Sequence, residues 1–156
     1  MSDAARSADG ADHGRIVVGI DGSPTSLSAL NWAARQAELT GAVLEPVIAW
    51  EWPTSYGWAI GLPADVSPAN DAQKVLDDAL GPVRAAHPTL RINGRVVEGH
   101  PAPVLVDASR DADLVVVGSR GHGEFVGMLI GSVSEHASTS CHCPVVIFRD
   151  GQEGSG

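Results

Sequence analysis

Leu114-Val-Val-Val-Gly-Ser-Arg-Gly-His-Gly-Glu-Phe-Val-Gly-Met-Leu-Ile-Gly-Ser132 is the stretch whose reading decides the fold. Leu114 to Gly118 is an unbroken apolar run of strand length. A strand buried on both faces reads this way, because neither side of its pleat meets water. Gly118 to Gly131 is punctuated by glycine and reads as a loop, and Ser132 to Ser140 reads as a helix. Strand, loop and helix in this order make one unit of a parallel sheet, and the chain on either side repeats the unit.

Upstream, Arg15 to Ile20 is a short β-branched run and reads as a buried first strand. Ser23 suits a helix N-cap, and Pro24 falls at the first helical position, where a missing N–H costs nothing. Leu27, Leu30, Ala34 and Ala37 recur at helical spacing, and Gly41 ends that helix where a left-handed cap is favoured. Val43 to Trp50 is the second strand. Pro68 to Ala86 is a second helix with Val75, Leu76, Ala79, Leu80 and Val83 inward, interrupted at Gly81-Pro82, where a kink is predicted. Leu90 to Val97 reads as the third strand, Pro101 to Ser109 as a short helix, and Val145 to Phe148 as the last strand. The order β-α-β-α-β-α-β-α-β predicts an α/β fold, a single doubly wound parallel sheet of five strands with helices on both faces. Residues 15–149 read as one domain, flanked by polar tails, 1–14 and 150–156, expected to be mobile.

Composition limits the function. The 156 residues are 44% apolar, enough for a hydrophobic core. No apolar run approaches the ~20 residues of a membrane helix, and the N-terminal residues lack the apolar stretch of a signal peptide; a cytoplasmic protein is expected. The formal net charge of −9 makes nucleic acid and anionic lipid poor partners. Lys74 is the one lysine, so a phosphate would have to be held by backbone amides, with or without a few arginines. Cys141 and Cys143 are expected to be reduced thiols.

The glycine loop supplies such amides. It follows a buried strand and leads into a helix N-terminus, where free N–H groups of the first turn attract anions and glycine lets the backbone come close. The hydroxyls of Ser132 and Ser134 are candidate donors beside them. The loop is not a P-loop, since no G-x4-G-K-[ST] occurs, and the first strand-to-helix turn, Gly19-Ile-Asp-Gly22, lacks the dinucleotide fingerprint.

The spacing Gly118-x2-Gly121-x9-Gly131-Ser132 resembles the G-x2-G-x9-G-[ST] ATP-binding pattern of the universal stress protein family. Val17-Val-Gly-Ile-Asp-Gly-Ser23 is similar to that family's first strand and aspartate, and Cys143-Pro-Val-Val-Ile147 to its final strand, so the likeness spans residues 15–149. It implies strand order 3-2-1-4-5, with the ligand at the switch point between the first and fourth strands. It implies that Ile20 and Asp21 lie near adenine or ribose and that Ala49 offers backbone to the adenine. Val117 and Gly118 would flank the nucleoside, Gly121 would make room for ribose or phosphate, and Gly131, Ser132, Val133 and Ser134 would bind phosphates. The implied ligand is ATP, alone or with Mg²⁺, with cyclic AMP as the alternative. The implied role is a nucleotide-dependent stress or signalling module. A slow ATP hydrolase and a nucleotide-free interaction module are the rivals.

Other features have simpler readings. Asp21 alone is as well explained by an Asx-turn or helix cap. His136, Cys141, His142 and Cys143 lack a standard zinc spacing and read as structural, so no metal site is expected. His122 reads equally as a phosphate contact or a solvated loop residue, and Glu98, Asp111 and Asp113 as solvated acids. Glu51 to Ser67 is a long loop that carries Trp52, Tyr56 and Trp58 after Trp50; area burial explains these aromatics more simply than a lid over adenine. Among charged groups, Arg120 and Asp21 alone suit phosphoryl chemistry, so any hydrolysis is expected to be slow. The last strand, Pro144 to Phe148, is an apolar sheet edge by the family's order, and a homodimer through it is expected.

Overall fold

The structure, a computed structural model, describes residues 14–51, 67–119 and 132–149. The elements run β1 (Arg15–Ile20), α1 (Pro24–Thr40), β2 (Val43–Trp50), α2 (Pro68–Ala86), β3 (Arg95–Glu98), α3 (Pro101–Ala108), a 3-10 turn (Ser109–Asp111), β4 (Leu114–Gly118), α4 (Ser132–Ser140) and β5 (Val145–Phe148). All strand pairs are parallel, and the sheet order is β3-β2-β1-β4-β5. Residues 1–13, 52–66, 120–131 and 150–156 lie outside the described residues. Among the described residues, no helix is long and apolar enough to cross a membrane.

Strand alternation divides the core in two. Ile16, Val18, Ile20, Leu44, Ile48 and Val116 face α1 and α2, while Val17, Val47, Val115 and Val117 face α3 through Leu105. α1 packs through Ala29, Leu30, Ala33, Ala34 and Ala37, small residues that let it approach the sheet. It ends at Gly41, whose φ of 77° is the left-handed conformation that glycine adopts without strain. Leu27 and Val75, expected to be inward, are half-buried at the margins.

Two expectations need correction. The third strand does not begin at Leu90: a lone bridge joins Leu44 to Ile92, and β3 proper starts at Arg95. The cause is Pro46, buried in the middle of β2. Leu44 gives its N–H to the Arg91 carbonyl and receives that of Asn93, at 2.9 and 2.8 Å. Two residues on, Pro46 has no N–H to give, and the ladder is broken until Val47 meets Arg95. Nor is α2 interrupted at Gly81-Pro82, since it runs through to Ala86. Both residues are exposed there, so water can serve the carbonyl that Pro82 leaves without a partner.

The amino end of the sheet is fixed by charge. Glu45 of β2 is 2% exposed. Its Oε2 lies 2.6 Å from Arg95 Nη1 on β3, and its Oε1 lies 3.2 Å from Arg15 Nε on β1, an ion pair without hydrogen-bond alignment. A buried carboxylate between two arginines ties three strands in register, and removing either partner would strand a charge.

Candidate functional site

The carboxyl end of the sheet is built differently. β1 stops at Ile20, and the chain turns into α1 through a hydrogen-bonded cap. Asp21 Oδ1 accepts the Ser23 N–H at 2.9 Å, Ser23 Oγ accepts the Ser26 N–H at 3.2 Å, and the Ser26 hydroxyl donates to the Ser23 carbonyl at 3.0 Å. Asp21 is thus in the Asx-turn that its local sequence allows, with its residue exposed at the sheet edge.

β2 runs further. Its peptides alternate: Leu44 and Trp50 bond toward β3, and Val43 bonds toward Gly14 on the β1 side. The last β1–β2 pair is Ile20 with Ile48. Ala49 therefore turns its carbonyl toward the β1 side, beyond the point where β1 ends. The chain then passes Glu51, whose Oε2 lies 2.9 Å from His100 Nδ1, and Gly99 donates its N–H to Trp50 at 2.7 Å.

Gly118 closes β4 between two helices. A Cβ at this position would stand 2.8 Å from Thr25 Cγ2 and 3.2 Å from the Thr25 carbonyl carbon, so only glycine admits the first turn of α1. Its carbonyl accepts the hydroxyl of Ser134 from the first turn of α4. Val133 packs on the cluster that holds Val117. Ile20, Val117 and Ser134 are buried, Ala49, Gly118 and Val133 are half-buried, and Ser132 and Asp21 are exposed. A hydrogen bond thus joins Gly118 to Ser134, a shared cluster holds Val117 and Val133, and register brings Ile20, Asp21 and Ala49 to the same edge. Gly121 and Gly131, with Arg120 and His122, lie outside the described residues, as do Trp52, Tyr56 and Trp58.

Sequence reading had offered the Ser134 hydroxyl as a donor; the structure turns it onto Gly118, and the nearby backbone N–H groups are what the helix end presents. The reading also missed Thr25, whose place against Gly118 had no sequence signal.

The remaining polar candidates fall elsewhere. Asp113 accepts the Arg15 backbone N–H at 2.9 Å at the amino edge, opposite Asp21. Lys74 lies exposed on α2, which packs on the face opposite α4. Cys141 and Cys143 pack against the Leu105 cluster. Burial pushes both thiols up. A hydrogen bond with Ser109 partly offsets this at Cys141, and the nearby charges of Cys141 and Asp113 add to it at Cys143. Thiols held protonated this way are poor nucleophiles and poor metal ligands. Among the described residues, no three His, Cys, Asp or Glu side chains group as a metal site.

A parallel sheet of order 3-2-1-4-5 with its switch point between β1 and β4 defines a doubly wound α/β protein. The model of the universal stress protein family matches residues 13–149, and the chain belongs to that family. Universal stress protein Rv2623 of Mycobacterium tuberculosis is 40% identical over 142 residues, covering 86% of this chain and 47% of the relative. A Mycolicibacterium smegmatis universal stress protein is 34% identical over 139 residues, covering 86% of this chain and 45% of the relative. The chain thus spans about half the length of these curated relatives. Among solved structures, a universal stress protein in complex with cAMP is 29% identical with a TM-score of 0.64, covering 88% of this chain and 98% of the other. UspA from Lactobacillus plantarum, 20% identical with a TM-score of 0.72 over 89% of this chain and 99% of the other, shares the fold.

Proposed function

We propose that this universal stress protein binds an adenine nucleotide, ATP in the first instance, at the carboxyl edge between β1 and β4, and that occupancy regulates what the protein binds. The observation that carries the reading is the junction of β4 with α4. Ser134 ties the first turn of α4 to the Gly118 carbonyl, so the free N–H groups of that turn are presented at the switch point with no lysine beside them. Phosphate is the group such a turn holds best. Gly131 to Ser134 then take the phosphates, Gly121 leaves room for them, Val117 and Gly118 flank the nucleoside, and Ile20 and Asp21 face the ribose or adenine. The carbonyl of Ala49 is the acceptor for an adenine amino group.

Cyclic AMP is the second reading, favoured by the 29%-identical structure solved with that ligand. Either ligand fits a regulatory role better than turnover. Amides that hold ground-state phosphate equally well do not lower a barrier, Lys74 is on the wrong face, and Arg120 is the one nearby cation in sequence. Hydrolysis, with or without Mg²⁺, is expected well below the ~1 s⁻¹ low end of ordinary enzymes. Mass spectrometry of nucleotide released from the purified protein, paired with calorimetry using ATP and cyclic AMP, tests the reading. Recovery or saturable binding of either supports it, and a protein that carries and binds neither overturns it.

The reading includes a homodimer through β5. All four residues of Val145–Phe148 are half-buried and, among the described residues, pair with β4 alone. Phe148 also meets Trp32 of α1 at a ring-centroid distance of 6.4 Å. A second copy pairing across a two-fold axis covers such an edge. Light scattering is expected to give twice the chain mass at micromolar concentration; the single-chain mass defeats this assembly.

A further inference from the structure

Cys141 and Cys143 lie in the turn between α4 and β5, with the exposed His142 between them. The turn is anchored by backbone at both ends. Cys141 donates its N–H to the Ala137 carbonyl at 3.1 Å, and the Pro144 carbonyl accepts the Val115 N–H at 3.0 Å. Its middle is held by α3's end, since the His142 N–H donates to Ser109 Oγ at 2.9 Å. A fully extended chain holds the Cα atoms of residues two apart near the upper limit for a disulfide; here the chain bends at His142 and Cys143, which shortens that span. Both side chains pack on the Leu105 cluster, so they leave the turn on one side. The sulfurs are close enough for the charge of Cys141 to act on Cys143. Neither is a core thiol: both are half-buried, within reach of a small reagent in solution. Cys141 Sγ also donates to the Leu105 carbonyl, at 3.9 Å, so the thiol is a second tie between the turn and α3.

We infer that Cys141 and Cys143 are a dithiol switch: a low-molecular-weight disulfide oxidises them to a Cys141–Cys143 bond, which removes the thiol donor at Leu105 and shifts the α4–β5 turn against the end of α3. The Cys141 thiolate attacks one sulfur of the reagent and expels the first thiolate. The Cys143 thiolate then attacks Cys141 Sγ and expels the second. The protein gives up two hydrogens, and the reagent leaves as two thiols. Cys141 goes first because its hydrogen bond with Ser109 eases the thiolate, whereas burial and two nearby charges oppose ionisation of Cys143. Burial makes both steps slow at neutral pH, so the pair answers sustained oxidation. A disulfide sulfur carries no proton, and the tie to Leu105 is lost. The turn lies at the amino end of the sheet, where Val145 pairs with Val115, and the inference does not depend on the nucleotide reading.

The experiment treats the full chain with glutathione disulfide, follows intact and peptide masses, and records backbone amide shifts of labelled protein before and after. The expected product is a single chain lighter by two hydrogens, with the link inside the peptide that holds both cysteines and no glutathione retained. Dithiothreitol is expected to restore the starting mass and shifts. The amides of Leu105, Ser109 and His142 are expected to move on oxidation. Two free thiols after prolonged treatment, a stable glutathione adduct, or a disulfide between two chains overturns the inference. So does an internal disulfide that leaves those three amides where they were, since the bond would then switch nothing.

Discussion

Two helices begin at the carboxyl edge of the sheet, on opposite faces, and their first turns are finished differently. α1 is closed by its own residues. Ser23 Oγ takes the Ser26 N–H, the Ser23 carbonyl takes the Leu27 N–H at 3.0 Å, and Pro24 has no N–H to place. α4 follows Gly131, which has no side chain to serve as a cap, and Ser134 turns its hydroxyl away to Gly118. Glu135, the acidic residue of its first turn, is exposed and so bathed in water. On the proposed reading the ligand site falls not at every helix start on that edge but at the one for which the described residues supply no side-chain cap.

The largest expected effect tests the open end. Gly131→Val places a branched side chain immediately before Ser132, where the phosphate must approach. ATP binding by calorimetry is expected to be lost, by about 100-fold or more, since both volume and close backbone approach are removed. Equal affinity in parent and variant would break the comparison by showing that the first turn of α4 is not the site.

A smaller effect is expected where the two helices meet. Gly118→Ala sets a methyl 2.8 Å from Thr25 Cγ2 and 3.2 Å from backbone, and α1 must shift to admit it. Overpacking of this kind costs roughly 1–3 kcal/mol, read as a lower denaturant midpoint. ATP affinity is expected to fall as well, because the same peptide receives Ser134. An unchanged midpoint would mean that the α1 contact is looser than the geometry states.

The smallest effect sharpens the contrast. Ser23→Ala removes the α1 cap and is expected to cost about 1 kcal/mol of stability, with ATP affinity unchanged. A loss of affinity as large as that of Gly131→Val would mean that α1 shares the ligand.

The sheet was legible in the sequence because each strand is short, β-branched and fenced by helix signals such as Ser23-Pro24 and Gly41. The start of β3 was not, since the gap in its ladder is caused by Pro46, nearly fifty residues earlier, and a missing donor acts on a partner that the sequence does not reveal. The meeting of Gly118 with the first turn of α4 was legible from spacing. The site was not legible where a residue's task depends on what packs against it. Gly118 looked like a glycine kept for a ligand, yet its absent side chain makes room for Thr25. Ser134 looked like a ligand donor, yet its hydroxyl holds β4. The register lock at Glu45 had no local signal, because its arginines come from two other strands.

Backbone amide chemical shifts followed while ATP is titrated into isotopically labelled protein address the central claim most directly. The account predicts that the amides of Ser132, Val133 and Ser134 move most and saturate together, while those of Ser26 and Leu27, already bonded within the cap of α1, move little. Shifts at the start of α1 that equal or exceed those at the start of α4, or none at Ser132 to Ser134 under saturating ATP, would contradict it.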